Sequence, residues 1–391
     1  MPGSPLVPPP PGPSVAFVFE GGGEIGSALE RDIRRLRHAI ALDTLEVLGA
    51  LRDQGALDRV VLVTDRPELA AAAPTGAEVE DSARLLPSFH FGDCLQHLLA
   101  RHRAGLALVL GGAAAPLYGP EDLRRFLLLA AQNPGASVQN NPQSPDVVCF
   151  SPAQAALTVA LPDSDNALGQ ALSSAGLRRV LVENSARVNF DLDTPADAAV
   201  LSGEPGIGPR TRGVFAAGDL PWLGGLRRRL DAVEAVLGAE GAELALVGRV
   251  GPPVTGYLNM HLRCRLRVFS EERGMRALGR VAAGTVESLI GRVCDAMGPA
   301  AFFRLLHGCG DAVLFDTRVL MAHWRQPLSE SDRFHADVGD AGGITDARLR
   351  EFTAAAWASE PPVVTGGHTL VYGGLWLLAD RVLRAQQTVA G

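Results

Sequence analysis

Two carboxylates, Asp191 and Asp193, stand at the mouth of a strand-to-helix turn in the stretch RVLVENSARVNFDLDTPADAAVL, Arg179–Leu201. The apolar run Val180-Leu181-Val182 and the alternation through Ala186, Val188 and Phe190 predict a strand. Thr194 then has the character of an N-cap, Pro195 suits the first helical position, and Asp197 completes a Thr-x-x-Asp capping pattern. Carboxylates so placed can hold a divalent cation and, through it, a phosphate. The plainer reading is that Asp193 helps cap the helix while Asp191 faces water.

Composition narrows the chemistry. All 36 basic residues are arginine, which excludes a Schiff-base lysine and the lysine of a Walker-A loop. A net charge of -7 argues against a general nucleic-acid binder. Cys94, Cys149, Cys264, Cys294 and Cys309 are scattered without C-x-x-C spacing and read as reduced thiols of a cytoplasmic protein. No apolar run approaches the roughly 18–20 residues that span a bilayer, so no membrane partner is expected. The Pro-rich head MPGSPLVPPPPGPS reads as a flexible arm over residues 1–14, not as a signal peptide.

After the arm, strand Val15–Phe19 runs into Glu20-Gly21-Gly22-Gly23-Glu24, a turn whose glycines let backbone N–H groups approach a phosphate. Glu20 and Glu24 flank it, and positive charge arrives only with Arg31, Arg34 and Arg35 on the following helix. Next come strand Val60–Thr64, a helix over Phe89–His102 that places Gly92 and Asp93 in its first turn, and strand Leu106–Leu110. That strand ends in Gly111-Gly112-Ala113-Ala114-Ala115-Pro116-Leu117 before a Pro120-Glu121-Asp122-Leu123 helix start. Asn140, Asn141, Ser144 and Asp146 form a polar loop. Strands alternating with helices predict a three-layer α/β domain over residues 15–203, with its crevice at the carboxyl ends of the strands.

An apolar strand followed by D-x-D-T-P-x-D and an apolar helix, with the Pro-Leu and Pro-Glu-Asp-Leu segments upstream, resembles the MobA/CofC-like nucleotidyltransferases, the phospholactate guanylyltransferase branch above all. The resemblance covers Val15 to Leu201. It implies a GT-A-type (Rossmann-like) fold with a mostly parallel sheet, a small phosphorylated ligand or nucleotide, Mg2+, and transfer of a nucleoside monophosphate to a phospho-acceptor. It also implies that Gly21, Gly22 and Gly23 meet the phosphates, that Gly92 and Asp93 with Asn140 and Asn141 meet the base and ribose, and that Asp191 or Asp193 holds the metal. Two departures stand out. The family's principal metal Asp falls on Ala113–Ala115, and its basic clamp is absent from the first loop, leaving Arg31 and Arg34 to substitute. A catalytically degenerate scaffold with a binding or regulatory role is therefore the alternative.

GEPGIGPRTRG, residues 203–213, reads as a linker over 204–213, and residues 214–391 as an α-rich α+β domain whose function the sequence leaves open. Within it, His261–Ser270 alternates as a strand with Arg263, Arg265 and Arg267 on one face. That stripe reads as an anion grip or, more simply, as a solvated edge. Arg276–Met297, Pro299–His307 and Asp311–Trp324 read as helices. On the last, Asp316 and His323 share a face, and His307, Asp311, His335, Asp337, Asp340 and His368 add further metal-capable ligands. Asp316, His323, Asp337 and His368 raise the alternative of a metal-dependent hydrolase, though no recognised metal-binding spacing is present. Finally, Thr365-Gly366-Gly367-His368-Thr369 joins a short strand to an apolar helix, a pattern that suits an anion site or merely a tightly packed turn. Self-association is left open.

Overall fold

The computed structural model describes residues 12–390 apart from Glu24 and Pro87. Most of the Pro-rich arm and Glu24 thus lie outside the described residues. Contacts divide the chain into two compact units, neither of which is one continuous stretch. The first comprises residues up to Gly23, Arg37–Asn184 and Gly208–Thr211; the second comprises Glu24–Leu36, Ser185–Ile207 and Arg212–Gly391. The division therefore does not follow a single 204–213 linker. Residues 208–211 hold to the first unit because the Asp43 carboxylate accepts from the backbone N–H groups of Arg210 and Thr211 and from the Thr211 hydroxyl.

Seven strands build the first unit: β1 (Ser14–Phe19), β2 (Arg59–Thr64), β3 (Glu78–Asp81), β4 (Leu106–Gly111), β5 (Ala136–Gln139), β6 (Val147–Ser151) and β7 (Arg178–Leu181). They lie in the order β3-β2-β1-β4-β6-β5-β7. All pairs are parallel except the two made by β6, which runs antiparallel to β4 and β5. Central strands such as VAFV and LALVL are apolar without alternation because both faces are covered. Phe17, Leu95, Leu98, Val109 and Phe150 belong to one buried cluster. Chain order reverses between β1 and β4, so a crevice opens beyond their carboxyl ends.

The second unit carries four strands: β8 (Glu243–Gly248), β9 (Arg265–Ser270), β10 (Ala312–Asp316) and β11 (Val363–Gly366), in the order β11-β10-β8-β9 and all parallel. Four elements of the chain differ from the sequence reading. The strand expected through Val180–Phe190 is only Arg178–Leu181, with a 3-10 turn at Arg187–Asn189. Of the expected 276–297 helix only Leu289–Met297 is helical. β10 occupies the first half of the expected 311–324 helix, because Ala312–Phe315 is a short run buried on both faces, which periodicity cannot tell from a buried helical segment. The helix after it is only Thr317–Trp324. The expected His261–Ser270 strand begins at Arg265, since helix Pro252–His261 extends through His261. Arg263 pairs with Glu240, and Arg265 and Arg267 with Glu243, so the arginine stripe is a charged, solvated edge. No described helix is long and apolar enough to cross a membrane.

Candidate functional site

A crevice of about 640 Å³ lies in the first unit at the carboxyl ends of β1, β2 and β4. Gly21, Gly22 and Gly23 form part of its wall, as the sequence suggests for a phosphate turn. Gly21 lies against a neighbour: a Cβ there would come within 2.6 Å of Asp65 Oδ1, so that carboxylate would have to shift. Gly22 adopts φ 131°, which a side chain would disfavour. Phe19, Phe89 and Phe91 contribute aromatic surface, with Val63, Leu86, Val109 and Leu168 around them. Phe89 is 60% exposed, an aromatic ring presented at an opening rather than packed away.

The polar lining is acidic. Asp65, Asp146, Asp163 and Asp165 all border the crevice. Among the described lining residues Arg37 is the one cation, and both Oε atoms of the nearly buried Glu20 hold it at 3.1 Å. Sequence reasoning missed Asp163 and Asp165, which sit in a loop without a motif. Pro162 and Asp163 carbonyls accept from the Gly92 and Phe91 N–H groups, pinning that loop to the start of helix Phe91–Arg101. Gly92 is small for this reason, since a Cβ would meet the Leu161 Cβ at 2.5 Å. The consequence appears at β4. Asp165 Oδ2 lies 4.0 Å, and the Ala114 Cβ 3.7 Å, from where a Cβ on Gly111 would stand. A carboxylate from elsewhere in the chain thus reaches the strand end whose own following residues are Ala113–Ala115.

The other expected residues fall elsewhere. Arg31 and Arg34 belong to the segment grouped with the second unit and do not line the crevice. Asp93 is exposed in the first turn of its helix, its N–H donating to His90 Nδ1. Asn140 braces the crevice from behind: its Oδ1 accepts from the Asp146 and Val147 N–H groups, and its Nδ2 donates to Asp146 Oδ2. Asn141 Oδ1 caps the following turn through Gln143 and Ser144. Asp191 and Asp193 are part of the second unit, where Asp191 accepts from the Thr369 hydroxyl. The Asp193 N–H donates to Asp197. The predicted capping box forms as expected, with Thr194 N–H to Asp197 Oδ2 at 2.8 Å and Asp197 N–H to Thr194 Oγ1 at 3.3 Å.

Also in the second unit, Asp316 closes β10 fully buried, and Arg249 grips both its oxygens at 2.6 and 3.1 Å. His323 lies 3.7 Å from Glu287 and 3.5 Å from Asp295, away from that pair's partners. Among the described residues no three His, Cys, Asp or Glu side chains converge as a metal cage. Thr365 Oγ1 donates to the Ala336 carbonyl. A Cβ on Gly366 would press on Ala196 at 2.9 Å and one on Gly367 on Thr194 at 3.1 Å, so this glycine pair is a packing device. The turn leads into a three-residue 3-10 helix, Thr369–Val371, too short to present a helix N-terminus.

The first unit is thus an α/β domain of the expected class, with a mostly parallel sheet and a crevice at its point of reversed strand order. Comparison with protein-family models and with curated proteins finds no match. Among solved structures, a protein from Aquifex aeolicus VF5 matches 46% of this chain and 94% of its own at 14% identity, TM-score 0.35. A 4-diphosphocytidyl-2C-methyl-D-erythritol synthase matches 49% of this chain and 97% of its own at 17% identity, TM-score 0.34. A CMP:2-keto-3-deoxy-manno-octonic acid synthetase, solved with CTP, matches 44% and 90% at 15% identity, TM-score 0.31. The activities in those names are those proteins' own.

Proposed function

We propose that the first-unit crevice binds a nucleotide together with a divalent cation. The observation that carries this is the joining of a glycine turn, aromatic surface and four aspartates in one nucleotide-sized cavity at a topological switch point. The apolar walls suit a base. The carboxylates repel bare phosphates, and Arg37 is already neutralised by Glu20, so phosphates require an accompanying cation. Mg2+ is bound through one or two carboxylates plus phosphate oxygens rather than by an all-protein cage, which fits an arrangement with no converging three-ligand set. Asp165, beside the end of β4, and Asp163 or Asp65 would hold it, and it would supply charge neutralisation at the phosphates.

Calorimetry with each of the four nucleoside triphosphates, with and without Mg2+, tests this. Binding is expected only with the cation, weakened at least about tenfold, roughly 1.4 kcal/mol, by Asp165→Asn. Silence across all four with Mg2+ present would sink it. The buried Ala113–Ala115 run favours binding without transfer as the second reading. Release of pyrophosphate in the presence of a phosphorylated acceptor would decide for transfer.

A further inference from the structure

The second sheet has its own reversal of strand order, between β8 and β10, and every strand of it hands a basic or imidazole side chain to the carboxyl edge. Arg249 follows β8, Arg273 follows β9, Arg318 follows β10 and His368 follows β11. Two of these are spoken for. Arg249 holds Asp316, and Arg318 holds the fully buried Asp337 at 2.6 and 3.0 Å.

Arg273 is different. It is half-buried, its Nε is buried, and it makes no hydrogen bond or ion pair among the described residues. The acids beside it in sequence are committed elsewhere. Glu271 accepts from Ser288 Oγ and the Leu289 N–H, and Glu272 grips Arg280 through both oxygens at 2.7 Å. A guanidinium partly withdrawn from water without an anion is costly, so the fold leaves a debt of negative charge at this edge. Arg249 uses its backbone N–H, Nε and Nη2 on Asp316, which keeps its Nη1 outside the pair. His368 stacks on Tyr372 with ring centroids 5.3 Å apart. Burial first, then Arg249 and Arg273, drive its imidazole down to about 4 against the pull of Asp316 and Asp193, so at neutral pH it is an uncharged donor under the field of both arginines.

We infer that this edge is a binding site for a phosphate-bearing small molecule, held by Arg273 and Arg249 beside His368. Donors arriving from three separate strand ends suit a tetrahedral anion with several oxygens better than a flat carboxylate, which one Arg fork satisfies alone. The anion is held by side chains, not by the Gly366–Gly367 amides. Exposed Asp193 also acts on His368, in the opposite sense, and sets an acidic margin to the site.

Calorimetry on the full chain with inorganic phosphate and with pyrophosphate, free of Mg2+, is the test. Wild-type protein is expected to bind at least one of them. Arg273→Gln should weaken it tenfold or more, and Arg273→Lys by less. Bound anion should also raise the His368 titration midpoint followed by imidazole NMR, an effect absent in Arg273→Gln. No binding at ~10 mM of either probe, where a millimolar Kd (about -4 kcal/mol) would register, overturns the assignment. So does undiminished binding by Arg273→Gln. Omitting Mg2+ separates this site from the first-unit crevice, whose phosphates need the cation: phosphate binding that appears only with Mg2+ and is lost in Asp165→Asn belongs to the crevice and overturns the inference as well.

Discussion

Asp197 and His368 are both displaced from their ordinary titration ranges, and in opposite senses. Burial, then Asp193, pushes the Asp197 carboxyl up to about 8, so the folded chain keeps a proton that the unfolded chain loses near pH 4. Its Oδ1, buried and without a hydrogen-bond partner, suits the neutral acid. The stability it confers is complete below about pH 4 and is lost as pH rises through about 8, at no more than ~1.4 kcal/mol per pH unit. Asp197→Asn keeps an acceptor for Thr194 and should remove that slope; identical melting temperatures against pH for variant and wild type would refute it. His368 works the other way. Its folded-state value near 4 lies below the unfolded one, so its share of stability is present above about pH 6.5 and lost as pH falls through 4. His368→Asn should flatten melting temperature between pH 4 and 6 relative to wild type.

At the scale of elements, the helix Gly373–Ala390 begins hard against a neighbouring turn. A Cβ on Gly373 would be driven into the Asn189 carbonyl oxygen, and backbone cannot step aside as a side chain can. Gly373→Ala should cost about 1–3 kcal/mol, read by denaturant unfolding, with a near-zero change contradicting the packing described. Thr194→Ala removes one arm of the capping box at Pro195–Leu201 and should cost about 1 kcal/mol by the same measurement. Such elements were legible where local rules suffice. The Thr-x-x-Asp box, the glycine turn after β1, the Pro-Glu-Asp-Leu helix start and the apolar strands β1, β2 and β4 follow from residue type and spacing. β10 was not, because five buried residues show no period. The crevice was half legible. Gly21–Gly23 announce themselves, whereas Asp163 and Asp165 matter only because Gly92 lets their loop dock, a tertiary fact without a local signature. Arg273 escaped notice for the same reason: an unpaired arginine is defined by partners that are absent, and spacing does not encode absence.

For the molecule as a whole, the two units do not correspond to two stretches of chain. Helix Ala28–Asp53 is itself divided between them, its residues to Leu36 counted with the second unit and those from Arg37 with the first. The second unit owes Phe190, Leu192 and Ala198–Leu201, all buried, to residues 185–207. A fragment of residues 214–391 should therefore fail to fold by near-UV circular dichroism, while one cooperative melt for that fragment would show that the borrowed segments are dispensable. Four of the five thiols are buried, with burial raising Cys94 to about 11 and Cys149 further, which leaves Cys309 as the readily alkylated one in the folded state.

The interleaving bears on ancestry. Joining two finished genes end to end leaves each body on its own unbroken run of codons, and a recombination breakpoint between them does no harm. In this polypeptide a single crossover between codons 24 and 211 severs both bodies at once, where an end-to-end joining would put at most one at risk.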